Sequence, residues 1–168
     1  MRFFSILITI FALAIPASAA ADSSFESVRQ SVRGMYAIGT PNQPFEDAVA
    51  TNQFIDGLSI RTVWASVQPV ESSYNWSYID GEVARAKANG KKFSLSVRAG
   101  SKTPEWVYVA GARRFYSIGV DQGAGNFCQD VIIPVPFDAV YLIKWKNFVA
   151  ALGNRYGADS SLAFVRIT

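Results

Sequence analysis

Histidine is absent from this 168-residue sequence, and cysteine occurs once, as Cys128. A single thiol cannot close an internal disulfide, and the chain has no set of nitrogen and sulfur ligands for zinc or copper. Any metal would need carboxylates alone, so we expect no metal site and no cofactor. A lone thiol in an exported chain is typically buried and inert, which is our expectation for Cys128.

Charge is also scarce and nearly balanced. Removal of residues 1–21, an N-terminal segment described below, takes one basic residue, Arg2, and leaves 15 Lys+Arg against 13 Asp+Glu. The basic residues are scattered, and Lys91-Lys92 and Arg113-Arg114 are pairs rather than a patch. This distribution argues against nucleic acid as a partner.

Long apolar runs are missing beyond the N-terminus. Met1-Arg2 is a short basic start, residues 3–15 are almost wholly apolar, and Ala17-Ser18-Ala19 has the small-residue spacing of a cleavage site. The sequence therefore predicts a signal peptide over 1–21 and a secreted or periplasmic protein with no membrane span after cleavage. An uncleaved N-terminal anchor is the alternative.

The remaining sequence alternates between strand-like and helix-like hydrophobic periods. Half of the residues are apolar, which is ample for a packed core. In chain order the pattern predicts a strand over 32–38, a helix over 44–51, a strand over 58–64, a helix over 76–89, a strand over 93–99, a helix over 139–155 and a strand over 162–168.

This alternating order calls for parallel strands with helical crossovers. A doubly wound open sheet fits it, and so does a (β/α)8 barrel of which only about half is present. The connection over 100–138 is far longer than usual, and barrel enzymes build their sites from loops at that end of the strands. No G-x-G-x-x-G or P-loop follows the first strand. We therefore predict an α/β fold of the TIM-barrel type, truncated to about its first four strands and ending within strand 4.

Polar residues alternate with apolar ones in two of the predicted strands. Ser94, Ser96 and Arg98 alternate with large apolar residues, as Ser59 and Arg61 do one strand earlier. Small polar residues followed by an arginine near the carboxyl end of a strand suit a narrow interior that opens onto a polar site. The alternative is that these arginines pair with buried carboxylates for stability alone.

Three segments carry a resemblance to a known family: SIRTVWASVQPVE at 59–71, YNWSYID at 74–80 and AKANGKK at 86–92. Together they resemble the second βα unit of the retaining glycoside hydrolases with (β/α)8 barrels. The TPEW element at 103–106 is similar to the loop after strand 3 in β-galactosidase-like members. The resemblance covers roughly residues 32–168.

The resemblance implies where the chemistry lies. In that superfamily the acid/base Glu follows strand 4 and the nucleophile Glu closes strand 7, so both positions fall beyond Thr168 and no catalytic residue is expected in this chain. Arg61 matches the strand 2 arginine that hydrogen-bonds the nucleophile carboxylate. Trp106 is expected to stack on a sugar face, while Trp64 fits sugar contact and core packing equally well.

The sequence thus predicts a fragment of an exported glycoside hydrolase that is inactive alone and binds carbohydrate through four residues: Arg61, Trp64, Arg98 and Trp106. The loop acids Glu71, Glu105, Asp121, Asp130 and Asp138 are expected to be solvated surface. Two alternatives stay open: a non-catalytic carbohydrate-binding protein on the same scaffold, and a complete small open-sheet α/β domain.

Overall fold

A computed structural model of the chain describes residues 33–119 and 128–167, without the side chain of Ile167. The predicted signal peptide over 1–21 and the loop acid Asp121 lie outside these residues. The strands are β1 Tyr36–Ile38, β2 Gly57–Val63, β3 Lys92–Arg98, β4 Arg114–Ile118, β5 Asp130–Pro134 and β6 Leu162–Ile167. The helices are α1 Asp47–Ala50, α2 Trp64–Val67, α3 Ser77–Ala88, α4 Glu105–Val109 and α5 Ala139–Tyr156, with a short 3-10 turn at Gly100–Lys102.

Four strands form a parallel sheet in the order β1-β2-β3-β6. The order is sequential along the chain, with no reversal of the kind that places strand 2 outside strand 1 in a doubly wound sheet. Sequential parallel strands need crossover connections, and α3 and α5 supply the two long ones. The α/β class and the four predicted parallel strands are confirmed.

The hydrophobic core lies between one face of the sheet and the helices. Leu58 and Ile60 of β2 and Leu95 of β3 are at most 1% exposed and belong to one apolar cluster. Buried residues from α1 to α5, namely Ala50, Val67, Ile79, Val83, Ala86, Val107, Phe148, Leu152 and Tyr156, complete that cluster. The described helices therefore all contribute to a core on the same face of the sheet, and none of them covers the other face.

Two helices begin where local chemistry favours them. Asp138 precedes α5 and its Oδ1 accepts a hydrogen bond from the backbone N–H of Tyr141 at 3.0 Å, as an N-cap does. Asn75 Oδ1 accepts the backbone N–H of Ser77 at 3.2 Å at the start of α3. The bounds of α3 and α5 lie within one residue of those predicted from the sequence, 76–89 and 139–155.

The long connection over 100–138 was predicted only as a loop, and the structure differs there. It contains α4 and an antiparallel hairpin, in which Arg114 pairs with Pro134 and Ile118 with Asp130. The hairpin is hard to recognise in sequence because its strands are short and largely exposed. Cys128 differs as well: it is exposed rather than buried, with a left-handed φ of 57°.

Candidate functional site

The face of the sheet away from the described helices, called the open face below, carries the polar residues that alternate with the core. Ser59, Ser94 and Ser96 on this face are at most 3% exposed. Leu58 and Ile60 point to the helices, so Ser59 and Arg61 between and beyond them point away. The same alternation in β3 places Ser94, Ser96 and Arg98 on the open face. The strand register sets Arg61 beside Ser96, and Arg98 beside Val63, at the carboxyl ends of both strands.

Within the part of the chain that the structure describes, neither arginine has a carboxylate partner. No carboxylate of the described residues lies within 4.0 Å of the guanidinium groups of Arg61 or Arg98. The Nε atoms of both are buried and make no hydrogen bond within the described chain. The alternative of structural pairing to buried carboxylates is therefore not what the described residues show.

Two aromatic rings lie on the open face at the end away from Arg61 and Arg98. Tyr36 of β1 lies in register with Gly57, and Phe164 of β6 with Ser94. Both positions are near the amino ends of the central strands, whereas Arg61 lies further along β2. The face thus has an apolar end and a cationic end, and the cationic end is at the carboxyl edge, where ligands of parallel α/β sheets bind.

Trp64 does not belong to this face. Its side chain is 0% exposed, and its Nε1–H donates to Gln68 Oε1 at 2.9 Å. Its ring packs against Tyr141, Trp145 and Phe148 with centroid distances of 6.2, 5.0 and 5.6 Å. Because no ring face is left for a sugar, core packing is the role that the structure supports for Trp64, and we leave it out of the site.

Trp106 is half-buried at the edge of the same aromatic cluster. Its ring meets Trp64 edge to face at 5.9 Å, and its Nε1–H donates to the backbone carbonyl of Gln68 at 3.0 Å. Gln68 therefore ties both indoles together, through its side chain and its main chain. Arg61 and Arg98 share the open face, whereas Trp64 and Trp106 pack with the helices.

The described loop acids are mostly engaged in ion pairs. Glu71 pairs with Lys144, and Glu105 lies 3.2 Å from Arg114. Asp138, only 6% exposed as a residue, differs from the expected solvated acid. The Tyr141 backbone N–H, with further help from Arg113, holds the pKa of Asp138 below its ordinary value. This carboxylate is thus committed to capping α5.

The loop after β1 is fixed onto the carboxyl end of β2 by Asn42. Its backbone N–H donates to the carbonyl of Arg61 at 3.0 Å, and its Oδ1 accepts the hydroxyl of Thr62 at 2.5 Å. Its Nδ2 donates to Ser66 Oγ at 3.1 Å. With a φ of 60°, Asn42 turns the chain sharply at this point. The backbone that carries Arg61 is therefore held by Asn42 on one side and paired with Ser96 of β3 on the other.

A third arginine of the open face, Arg166, is not among the site residues predicted from the sequence. Arg166 of β6 stands in register with Ser96, on the far side of that serine from Arg61. The sequence signal for this placement is that Phe164 and Arg166 alternate with Val165, so that they lie on the same face of β6. No group of three potential metal ligands occurs in residues 33–119 and 128–167, and no helix there is long and apolar enough to cross a membrane.

Comparison with known proteins supports the fold only. No family model matches the sequence, and no curated protein matches it. Among solved structures, the chain is similar to the β-galactosidase from the psychrophilic Marinomonas ef1, with a TM-score of 0.51 and 12% sequence identity. The match covers 80% of this chain but only 21% of the β-galactosidase chain. At this identity the likeness shows a shared fold, over a small part of a much longer protein.

Proposed function

We propose that this chain is a fragment of an exported, β-galactosidase-like glycoside hydrolase and forms about the first four strands of its (β/α)8 barrel, ending within the fourth. The observation that carries the proposal is the sequential parallel order of β1, β2, β3 and β6 with every described helix on one face. That arrangement is typical of barrels, because a barrel interior has no helical layer. The fold likeness to a β-galactosidase agrees with it.

The open face supplies the binding part of such a site. Arg61 and Arg98 lie at the carboxyl ends of neighbouring strands, where barrel enzymes bind substrate. In this proposal Arg61 donates hydrogen bonds to the nucleophile carboxylate, and its fixed positive charge keeps that carboxylate ionised. Trp106, half-buried in α4 after the carboxyl end of β3, keeps the sugar contact predicted from the sequence as part of this proposal.

The catalytic pair lies outside the chain in this proposal. Double displacement needs two carboxyl groups about 5 to 5.5 Å apart across the glycosidic bond. The acids described near the carboxyl edge are engaged elsewhere: Glu71 with Lys144, and Asp138 with the start of α5. We therefore expect the chain alone to bind carbohydrate without hydrolysing it.

The coding sequence after codon 168 is the sharpest test. The proposal requires an Asn-Glu segment soon after Thr168 and a second Glu at a later strand end. A stop codon directly after codon 168 would overturn the assignment to a larger enzyme. Mass spectrometry of the exported product tests the signal peptide, which predicts a mature chain that lacks residues 1–21.

A screen with chromogenic galactosides and glucosides tests the missing catalytic pair. The purified chain is expected to show no turnover above background. Reproducible turnover that is lost in Glu105→Gln, but kept in the exposed control Glu46→Gln, would place catalysis within the chain and contradict the proposal. Sugar binding with no downstream catalytic carboxylates would instead support a non-catalytic carbohydrate-binding protein.

A further inference from the structure

Three arginines surround one serine on the open face. Ser96 of β3 has Arg61 of β2 on one side and Arg166 of β6 on the other, each in direct register with it. Arg98 follows two residues along β3, on the same face. Neighbouring strands lie about 4.8 Å apart, so the Cα atoms of Arg61 and Arg166 are on the order of 10 Å apart. Arginine side chains can span that gap.

The cluster has no counter-charge within the described chain. All seven of the ion pairs found among the described residues involve other groups. The guanidinium group of arginine is always charged, so the three groups repel one another. Buried charge is tolerated when it is paired. Arg61 and Arg98 are half-buried and Arg166 is exposed, so the two half-buried guanidinium groups, with a third positive charge beside them, favour an anion as the ligand.

The unused atoms indicate the shape of that anion. Nε of Arg61 and Nε of Arg98 are both buried without a hydrogen-bond partner in the described chain. Nε and the adjacent Nη form one edge of the guanidinium fork, which binds two oxygens of one carboxylate or sulfate group in parallel. Two adjacent hydroxyl groups of a neutral sugar can accept these bonds, but they carry no negative charge, so the bonds to them are weaker than those to a carboxylate or sulfate.

We infer that the open face recognises an anionic sugar, whose carboxylate or sulfate group binds between Arg98 and Arg166 beside Ser96. The inference rests on the proposed function for the sugar, but the charge requirement comes from the arginines alone. Arg61 lies on the inner strand β2 and forms one end of the cluster. Arg166 lies on the outer strand β6, is exposed, and forms the other end. The substrate class is then an acidic or sulfated glycan rather than a neutral galactoside.

The test is calorimetric titration of the full chain with three probes: neutral galactobiose, digalacturonate and a sulfated galactobiose. We expect at least one anionic probe to bind about tenfold more tightly than the neutral one at low salt, because a charge-assisted pair adds roughly that much. The preference should shrink at high salt. The two anionic probes distinguish a carboxylate ligand from a sulfate ligand.

Single substitutions test which arginines cause the preference for the anionic probes. Arg98→Gln and Arg166→Gln should each remove most of the preference, and Arg98→Lys should retain part of it because the charge remains without the fork. Lys146→Gln removes the same charge from the exposed surface of α5 and should leave the preference unchanged. Urea unfolding of each variant identifies any that fail to fold. The Nε–Hε NMR signals of Arg98 and Arg166, the two arginines that bind the anion, should shift with the anionic probes.

The outcomes separate the two proposals. Equal affinity for neutral and anionic probes would overturn the anionic preference and leave the proposed function standing. A preference that survives in both Arg98→Gln and Arg166→Gln would show that the anion binds elsewhere. Binding of acetate or sulfate with arginine NMR shifts, but of no sugar, would contradict the proposed function and, with it, the sugar ligand inferred here.

Discussion

The rings of Tyr36 and Phe164 meet edge to face, with 5.4 Å between their centroids and 62° between their planes. They belong to β1 and β6, the two outer strands of the four-stranded sheet. A flat sheet would hold these strands about 14 Å apart, so the contact is expected where a sheet curves toward this face. It closes the amino-terminal end of the open face, below the arginines.

Gly57 makes room for this contact. A Cβ at this position would lie 2.2 Å from Cε1 of Tyr36, so Gly57→Ala must displace the ring. We expect the free energy of unfolding, measured in urea, to fall by about 1–3 kcal/mol. Gly81→Ala is the matched control: a Cβ there meets nothing within 4 Å in α3, and alanine should stabilise the helix by about 0.4–1 kcal/mol. If Gly57→Ala leaves the free energy of unfolding unchanged, the position of the Tyr36 ring contributes little to stability.

Phe148 is the centre of the aromatic core. It is 0% exposed and packs against Trp64, Trp76 and Trp145. Phe148→Ala should lower the free energy of unfolding by about 3–5 kcal/mol because it leaves a large cavity. Phe137, 86% exposed just before α5, is the control, and Phe137→Ala should stay within about 0.5 kcal/mol. Similar costs for both would contradict the assigned core.

Asp80 gives the protein an acid-sensitive ion pair between α3 and α5. Partial burial disfavours its charge, but hydrogen bonds from Arg155 at 2.5 Å and from Tyr156 at 2.8 Å outweigh this and lower its pKa below 3.8. A lowered folded pKa stabilises the protein fully above about pH 4, and this stabilisation is lost as the pH falls through the folded value.

Asp80→Asn should therefore flatten the decline of the urea midpoint between about pH 4 and pH 2. Part of the decline should remain, because the pKa values of Asp138 and Asp159 are lowered too. Tyr156→Phe, which keeps the ring but removes one hydrogen bond to Asp80, should give an intermediate curve. A slope identical to the parent in Asp80→Asn would exclude this pair as a source of the acid sensitivity.

Trp64→Phe separates core packing from ligand contact. The change removes the donor to Gln68 Oε1 inside the core, and an unsatisfied buried acceptor costs about 1–3 kcal/mol of unfolding free energy. Sugar affinity should stay at the parent value, since Trp64 faces the helices. Arg98→Gln should show the opposite pattern, with weaker binding of anionic sugar and little change in stability. Loss of binding in the folded Trp64→Phe protein would return this indole to the site.

Residue spacing was enough to predict the parallel strands and the two long helices. Ile79, Val83 and Ala86 recur at helical spacing, and strand alternation already separated Arg61 from Leu58 and Ile60. Whether the side chain of Trp64 packs in the core or lies on the open face could not be predicted, because the residue after a strand can turn to either side of the sheet. The helix α2 begins at that residue and turns the indole toward α5.

The spacing of apolar residues in the sequence already predicts that Arg61, Arg98 and Arg166 alternate with core residues in their strands. That they share one face around Ser96, with no carboxylate of the described residues within 4.0 Å, depended on the tertiary structure, because register between strands depends on contacts far apart in the chain. The same holds for Tyr36 and Phe164, which are separated by most of the described chain. Local propensity acts over a few residues, whereas the open face is assembled from four strands packed on a common layer of helices.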